Sequence, residues 1–196
     1  MYNRKDSYYK KAKQEGYRSR ASYKLIELNE KYKLFKKGDT VLDIGAAPGG
    51  WSQVALQLIG ETGTVIGVDI LKMESINDKR FHFIQGDIRE ENIFLEIMKL
   101  KDSFDIVISD VAPNTTGQKF VDHQNSINLV NMVINFSKKM LKLKGTLLFK
   151  LFDGEDRESL VKELKKIFEE IKIIRPDATR KNSFEIYIIC KGYKGG

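Results

Sequence analysis

The chain has 196 residues, of which 41% are hydrophobic and 31% charged, a balance that excludes wholesale disorder and suits one globular domain over 1–196. No apolar run is long enough to cross a bilayer, and the lysine-rich start lacks the hydrophobic core of a secretory signal, so neither a membrane span nor secretion is predicted. The formal net charge is +7, yet residues 1–37 hold twelve Lys and Arg against four Asp and Glu, a net of +8 that leaves −1 for the remainder.

That basic extension, 1–37, carries Arg4, Lys5, Lys10, Lys11, Lys13, Arg18 and Arg20, interleaved with Tyr2, Tyr8, Tyr9 and Tyr17. Basic residues neutralise phosphates and aromatic faces stack on bases, so composition leaves a nucleic-acid grip and a solvated basic tail equally open. The stretch from Ser19 to about Leu34 is predicted as a helix. TVLDI is a β-branched strand ending at GAAPGG, and WSQVALQLIG reads as the helix after it. TVIGVDI, entered through Gly60 and Gly63, is a second strand, and FHFIQ a third, followed by a helix from Glu91 to about Lys99. FDIVISD is a fourth strand, with a helix from about Asp122 to Leu141 beyond it. GTLLFKLF is a fifth, followed by an amphipathic helix over RESLVKELKKIFEEI. IKIIR and FEIYIIC complete the pattern as strands, and PDATRKNS between them is short enough to join an antiparallel pair. Strands alternating with helices predict an α/β fold, a mostly parallel sheet with helices on both faces.

In such a sheet a ligand sits outside the carboxyl ends of the strands. The first strand ends in DIGAAPGGW, where glycines allow a tight turn and the next helix directs free N–H groups outward. Asp69 ends the second strand, placed to accept from ribose hydroxyls, and Asp87 follows the third, placed to accept from an adenine amino group. Singly, each aspartate is more often a cap or turn residue. Three successive strand ends with suitable groups together predict a nucleoside. GxGxxG and the phosphate loop are both absent, so a pyrophosphate is not expected.

Asp110 stands at the tip of the fourth strand, Lys150 inside the fifth, and Glu185 inside the last. A charge within an apolar strand is costly unless paired, so an ion pair is expected, either purely structural or chemically active. Lys24 lies in the N-terminal helix, and its spacing alone predicts a surface lysine. His82 and His123 fall in unrelated segments and predict surface or cap roles rather than a metal site. Cys190, the single cysteine, has no partner in the chain for a disulfide and is expected to be a buried, inert thiol.

SRASYKLIELNEKY, VLDIGAAPGGWSQ, VIGVDIL, QGDI, SDVAPNTTG, FKLFDG and RPDATRKNSFEIYII occur in order and cover nearly the whole chain from about residue 8. Together they resemble the FtsJ/RrmJ family of ribosomal RNA 2′-O-methyltransferases. The resemblance implies a Rossmann-like fold of seven strands, the last antiparallel, with S-adenosyl-L-methionine as cofactor and no metal. It implies a catalytic tetrad of Lys24, Asp110, Lys150 and Glu185. Cofactor contacts carry over to Gly49, Gly50, Trp51, Asp69, Asp87 and Asp110. The implied partner is RNA, a uridine of large-subunit ribosomal RNA or the assembled subunit. Lys119 and the basic extension are then candidates for phosphate contacts. A transfer RNA ribose methyltransferase and a non-catalytic RNA-binding protein on the same fold are the alternatives. A monomer is the default expectation. So is the cytoplasm, with mitochondrion and nucleolus left open.

Overall fold

A computed structural model of the chain describes residues 7–180 and 183–195, without the side chains of Ser7 and Tyr9. The elements in order are α1 (Ser7–Gln14), α2 (Ser22–Tyr32), β1 (Thr40–Ile44), α3 (Gly50–Ile59), β2 (Thr64–Asp69), β3 (Phe81–Gln85), α4 (Glu91–Leu100), β4 (Phe104–Ser109), α5 (Lys119–Met140), β5 (Leu141–Phe152), α6 (Arg157–Ile167), β6 (Phe168–Ile174) and β7 (Glu185–Tyr193). They form a seven-stranded sheet in the order β3-β2-β1-β4-β5-β7-β6. Strands β1 to β5 pair in parallel, and β7 inserts antiparallel between β5 and β6. The expected architecture, with its antiparallel last strand, is what forms.

Each central strand buries both faces, and the two-residue period divides its side chains between two cores. Leu42, Val107, Leu147, Phe149, Ile186, Ile188 and Cys190 pack with residues of α4, α5 and α6. Val41, Val65, Ile106, Ile108, Leu148, Tyr187 and Ile189 pack with α2 and α3. This parity decides which strand-borne polar groups can meet.

Helix α1 is additional to the elements read from the sequence, and two boundaries differ from expectation by four residues each. The helix predicted over residues 157–171 ends at Ile167, and β6 begins at Phe168. Phe168 is drawn into the sheet opposite Tyr193, their ring centroids 5.3 Å apart, and this tertiary contact outweighs the helical spacing. The fifth strand starts at Leu141 rather than Gly145, directly from α5, with an irregular register against β4 between Phe104 and Ile106.

No helix among the described residues is long and apolar enough to cross a membrane. Cys190 is fully buried, and burial pushes its thiol far above the ordinary range. Cys190 is therefore expected to resist a thiol-specific reagent in native buffer and to react stoichiometrically in denaturant; rapid native labelling, followed by absorbance, would contradict the packing of β7.

Candidate active site

On β1, Asp43 shares parity with Val41; on β2, Asp69 shares it with Val65; beyond β4, Asp110 continues that of Ile106 and Ile108. On β5 and β7, Lys150 follows Leu148, and Glu185 and Tyr187 precede Ile189. All six groups therefore belong to the α2/α3 side, toward the carboxyl ends of the parallel strands. Lys150 and Tyr187 are direct cross-strand partners, which brings their side chains together on one face.

The four residues expected to act together meet here as two ion pairs. Lys24 Nζ lies 2.7 Å from Glu185 Oε2, and Lys150 Nζ lies 3.1 Å from Asp110 Oδ1. Lys150 also donates to the Asp110 main-chain carbonyl at 2.6 Å. The surface position predicted for Lys24 is wrong: it is 7% exposed, like Lys150, because α2 lies against α3 with its Ser22–Leu25 turn inward. Tyr187, which the sequence pattern does not single out, joins the pairs. Its hydroxyl donates to Asp110 Oδ1 at 2.7 Å and accepts from Lys24 Nζ at 3.0 Å. Burial, then the Asp110 and Glu185 charges, raise this phenol well above its ordinary range, so it stays a neutral donor. In sequence Tyr187 reads as one more aromatic of an apolar strand; the signal is its spacing, two residues from Glu185.

At the other end of the cleft, Gly45 (φ +79) turns the chain out of β1, where a Cβ would stand 3.0 Å from the Val111 Cβ. Asp69 accepts the Ala47 amide on Oδ2 at 2.9 Å and the Leu71 amide on Oδ1 at 2.8 Å. It lines a cleft of about 140 Å³ with Gly45, Asp87, Arg89, Val111 and Met132 among the walls. Asp87 is thus on the cleft, but both its oxygens engage the Arg89 guanidinium, which lowers its pKa. Trp51 is buried: its indole donates to the Ala21 carbonyl at 2.9 Å and its ring lies 5.8 Å from that of Tyr187. The side chain builds the wall between α2 and β7. Gly50 has a packing reason as well, since a Cβ there would meet Ser19 Oγ at 2.3 Å. Gly49 begins α3 at φ +107, a left-handed conformation that favours glycine.

Asp43 is not among the candidates read from the sequence. It is 1% exposed; Ser52 Oγ donates to Oδ2 at 2.6 Å, while Oδ1 has no partner among the described residues. Burial, together with the Asp110 and Asp69 charges, raises its pKa to about 7, against the pull of Ser52.

The basic extension is partly built into the fold. Tyr8 and Tyr17 both pack on Tyr23, with centroids 5.5 and 5.7 Å away, so these two rings are occupied by protein. Lys10, Lys11, Lys13 and Lys119 are exposed. Tyr2, Arg4 and Lys5 lie outside the described residues. His82 is exposed, as expected, but His123 is buried and ties α5 to the β5–α6 connection, its Nδ1 2.6 Å from the Phe152 carbonyl.

The profile of the FtsJ-like methyltransferase family matches residues 17–193. The ribosomal RNA large subunit methyltransferase E of Methanothermobacter thermautotrophicus is 46% identical over 98% of this chain and 92% of its own. That of Pseudomonas fluorescens is 44% identical over 97% and 91%. Among solved structures, a ribosomal RNA methyltransferase of Plasmodium falciparum superposes with a TM-score of 0.83 at 34% identity, over 92% of this chain and all of that one. Aeropyrum pernix fibrillarin, at 19% identity and a TM-score of 0.61 over 89% of this chain and 75% of that one, shares the fold.

The Asp43 carboxyl makes stability depend on pH. Unfolded, it ionises near 3.8; folded, only near 7. Its contribution is whole below pH 4, declines as pH rises between these values, and is lost above about 7. The full difference is about 4 kcal/mol. Urea midpoints of wild type and Asp43→Asn, compared at pH 5 and pH 8, should shift in favour of the variant at pH 8; an unchanged gap would mean that Asp43 is not buried as described.

Proposed function

The chain belongs to the FtsJ-like methyltransferase family, and from that premise we propose that it transfers a methyl group from S-adenosylmethionine to a ribose 2′-hydroxyl of RNA, with large-subunit ribosomal RNA as substrate. The names of its relatives support the substrate class. The observation that carries the ribose reading is the pair of buried lysine–carboxylate contacts linked through Tyr187, and the tetrad of Lys24, Asp110, Lys150 and Glu185 is assigned on it. Residues 1–196 are read as one methyltransferase domain.

The cofactor fits what is present. Asp43, Asp69 and Asp110 face one side of the sheet, and the first holds a buried carboxylate oxygen without a partner among the described residues. Clustered carboxylates favour a cationic ligand over a phosphorylated one. Asp69, already fixed by two amides, would hold the ribose, and Asp87 the adenine once Arg89 moves aside. Bound there, S-adenosylmethionine supplies a methyl group on a positively charged sulfur with a good leaving group.

The protein must then place a weak nucleophile and manage one proton. A lysine ammonium has three N–H donors. On Lys150, Asp110 takes two, through its carboxylate at 3.1 Å and its carbonyl at 2.6 Å. The third position is left for the ribose hydroxyl. Lys150 orients that hydroxyl and, in its neutral form, accepts the proton that the oxygen gives up. Lys24, anchored by Glu185 and Tyr187, supplies a second positive charge beside the oxygen on which negative charge develops.

Incubation with methyl-labelled S-adenosylmethionine and, separately, large subunits, naked ribosomal RNA and transfer RNA tests this reading. Alkali cleaves RNA through the 2′-oxygen, so a methylated ribose survives as a labelled dinucleotide. Label should appear in that dinucleotide from large-subunit RNA and fall roughly a hundredfold or more in Lys150→Ala. Label on a base would defeat the ribose reading, and label on transfer RNA alone would defeat the substrate assignment.

A further inference from the structure

Arg18 stands in the basic extension, where charge alone suggests a phosphate contact, but its guanidinium is committed to the protein. Nη1 donates to the Pro48 carbonyl at 3.3 Å and to the Glu74 carbonyl, and Nη2 donates to the Ser75 carbonyl at 2.9 Å. Its own amide donates to Gln53 Oε1 at 2.8 Å, and Gln53 Nε2 donates back to the Gly16 carbonyl at 3.1 Å, so the base of the side chain is fixed on α3. At Gly49, a Cβ would lie 3.1 Å from both Arg18 Cδ and Met73 Cε, which shows how closely both side chains approach the glycine-rich turn.

One guanidinium thus joins three segments: the extension, the turn after β1, and the stretch 71–76 after β2. The last two, with Arg18 itself, enclose a groove of about 540 Å³ whose wall at Leu71 is tied to Asp69. Apolar packing holds the 71–76 stretch only in part: Met73 and Ile76 pack against the core on the α2/α3 side, while Leu71 is 63% exposed. Polar ties supply the rest, and those from Arg18 reach two of its carbonyls.

We propose that Arg18 is a positioning residue of the cofactor site, pinning segment 71–76 to the glycine-rich turn so that the groove beside Asp69 is preformed, and that it is not an RNA contact. The proposal rests on the reading of S-adenosylmethionine as cofactor. The planar fork reaches three carbonyls at once, those of Pro48 and Glu74 from Nη1 and that of Ser75 from Nη2, and a lysine has no second nitrogen to hold the third.

The test separates two affinities. S-adenosylmethionine and S-adenosylhomocysteine are titrated by calorimetry into wild type, Arg18→Ala and Arg18→Lys, and RNA affinity is measured apart, by filter binding over a salt series. Both variants should bind either cofactor form roughly tenfold more weakly, with kcat at saturating cofactor and the salt slope for RNA unchanged. Hydrogen exchange should accelerate at 71–76 in Arg18→Ala while β1, β2 and β3 keep their protection. Unchanged cofactor affinity, rescue by lysine, loss of RNA affinity with a shallower salt slope, or exchange rising across the sheet would each overturn the proposal. A wild type that binds neither cofactor form would instead defeat the cofactor reading.

Discussion

The hydroxyl of Tyr187, shared between Lys24 and Asp110, is the contact on which the proposed reaction centre depends. Two ammonium groups lie beneath α2 and beside an apolar sheet face, each nearly out of contact with water. A buried charge persists only if paired and hydrogen-bonded, and truncating one partner strands the other. Tyr187 turns two local pairs into one network, so Lys24 on α2, Asp110 after β4, Lys150 on β5 and Glu185 on β7 are fixed relative to one another. Fixed polar groups do chemistry better than mobile ones because they need no reorganisation at the moment of reaction.

The sheet divides the labour between its faces. The side toward α4, α5 and α6 is apolar support, with Phe149, Ile188 and Cys190 in its core. The side toward α2 and α3 carries the carboxylates and lysines near the strand ends. A one-residue slip of β7 against β5 would send Glu185 and Tyr187 to the wrong core, which is why the dense hydrophobic pairing along these strands is also a device for holding the proposed site.

Much of this is legible in the residues, and the exceptions have physical causes. Strand identities follow from apolar β-branched runs, and Lys150 and Glu185 are conspicuous as charges within such runs. Asp43 carries the same signal inside TVLDI, but the glycine-rich turn directly after it is the stronger feature and masks it. Lys24 gives no local sign of burial, since burial depends on how α2 docks, a tertiary fact. The α6–β6 junction is hidden because FEEI continues the helical pattern, while the deciding contact, Phe168 against Tyr193, spans 25 residues of sequence. Arg18 and Arg20 read as equivalent basic residues; only the fold shows that Arg18 reaches Pro48, Glu74 and Ser75, while Arg20 reaches the Ala178 carbonyl.

The insertion of β7 between β5 and β6 has a consequence for synthesis. The wall of the cleft that holds Asp69 and Asp87 comes from the ends of β1 and β2 and the turn after β3, all of which leave the ribosome early. Glu185 and Tyr187 are made after every other strand. During translation Lys24 therefore waits for both of its partners until the last strand has been made. Completion of that single antiparallel strand supplies Glu185 and Tyr187 together.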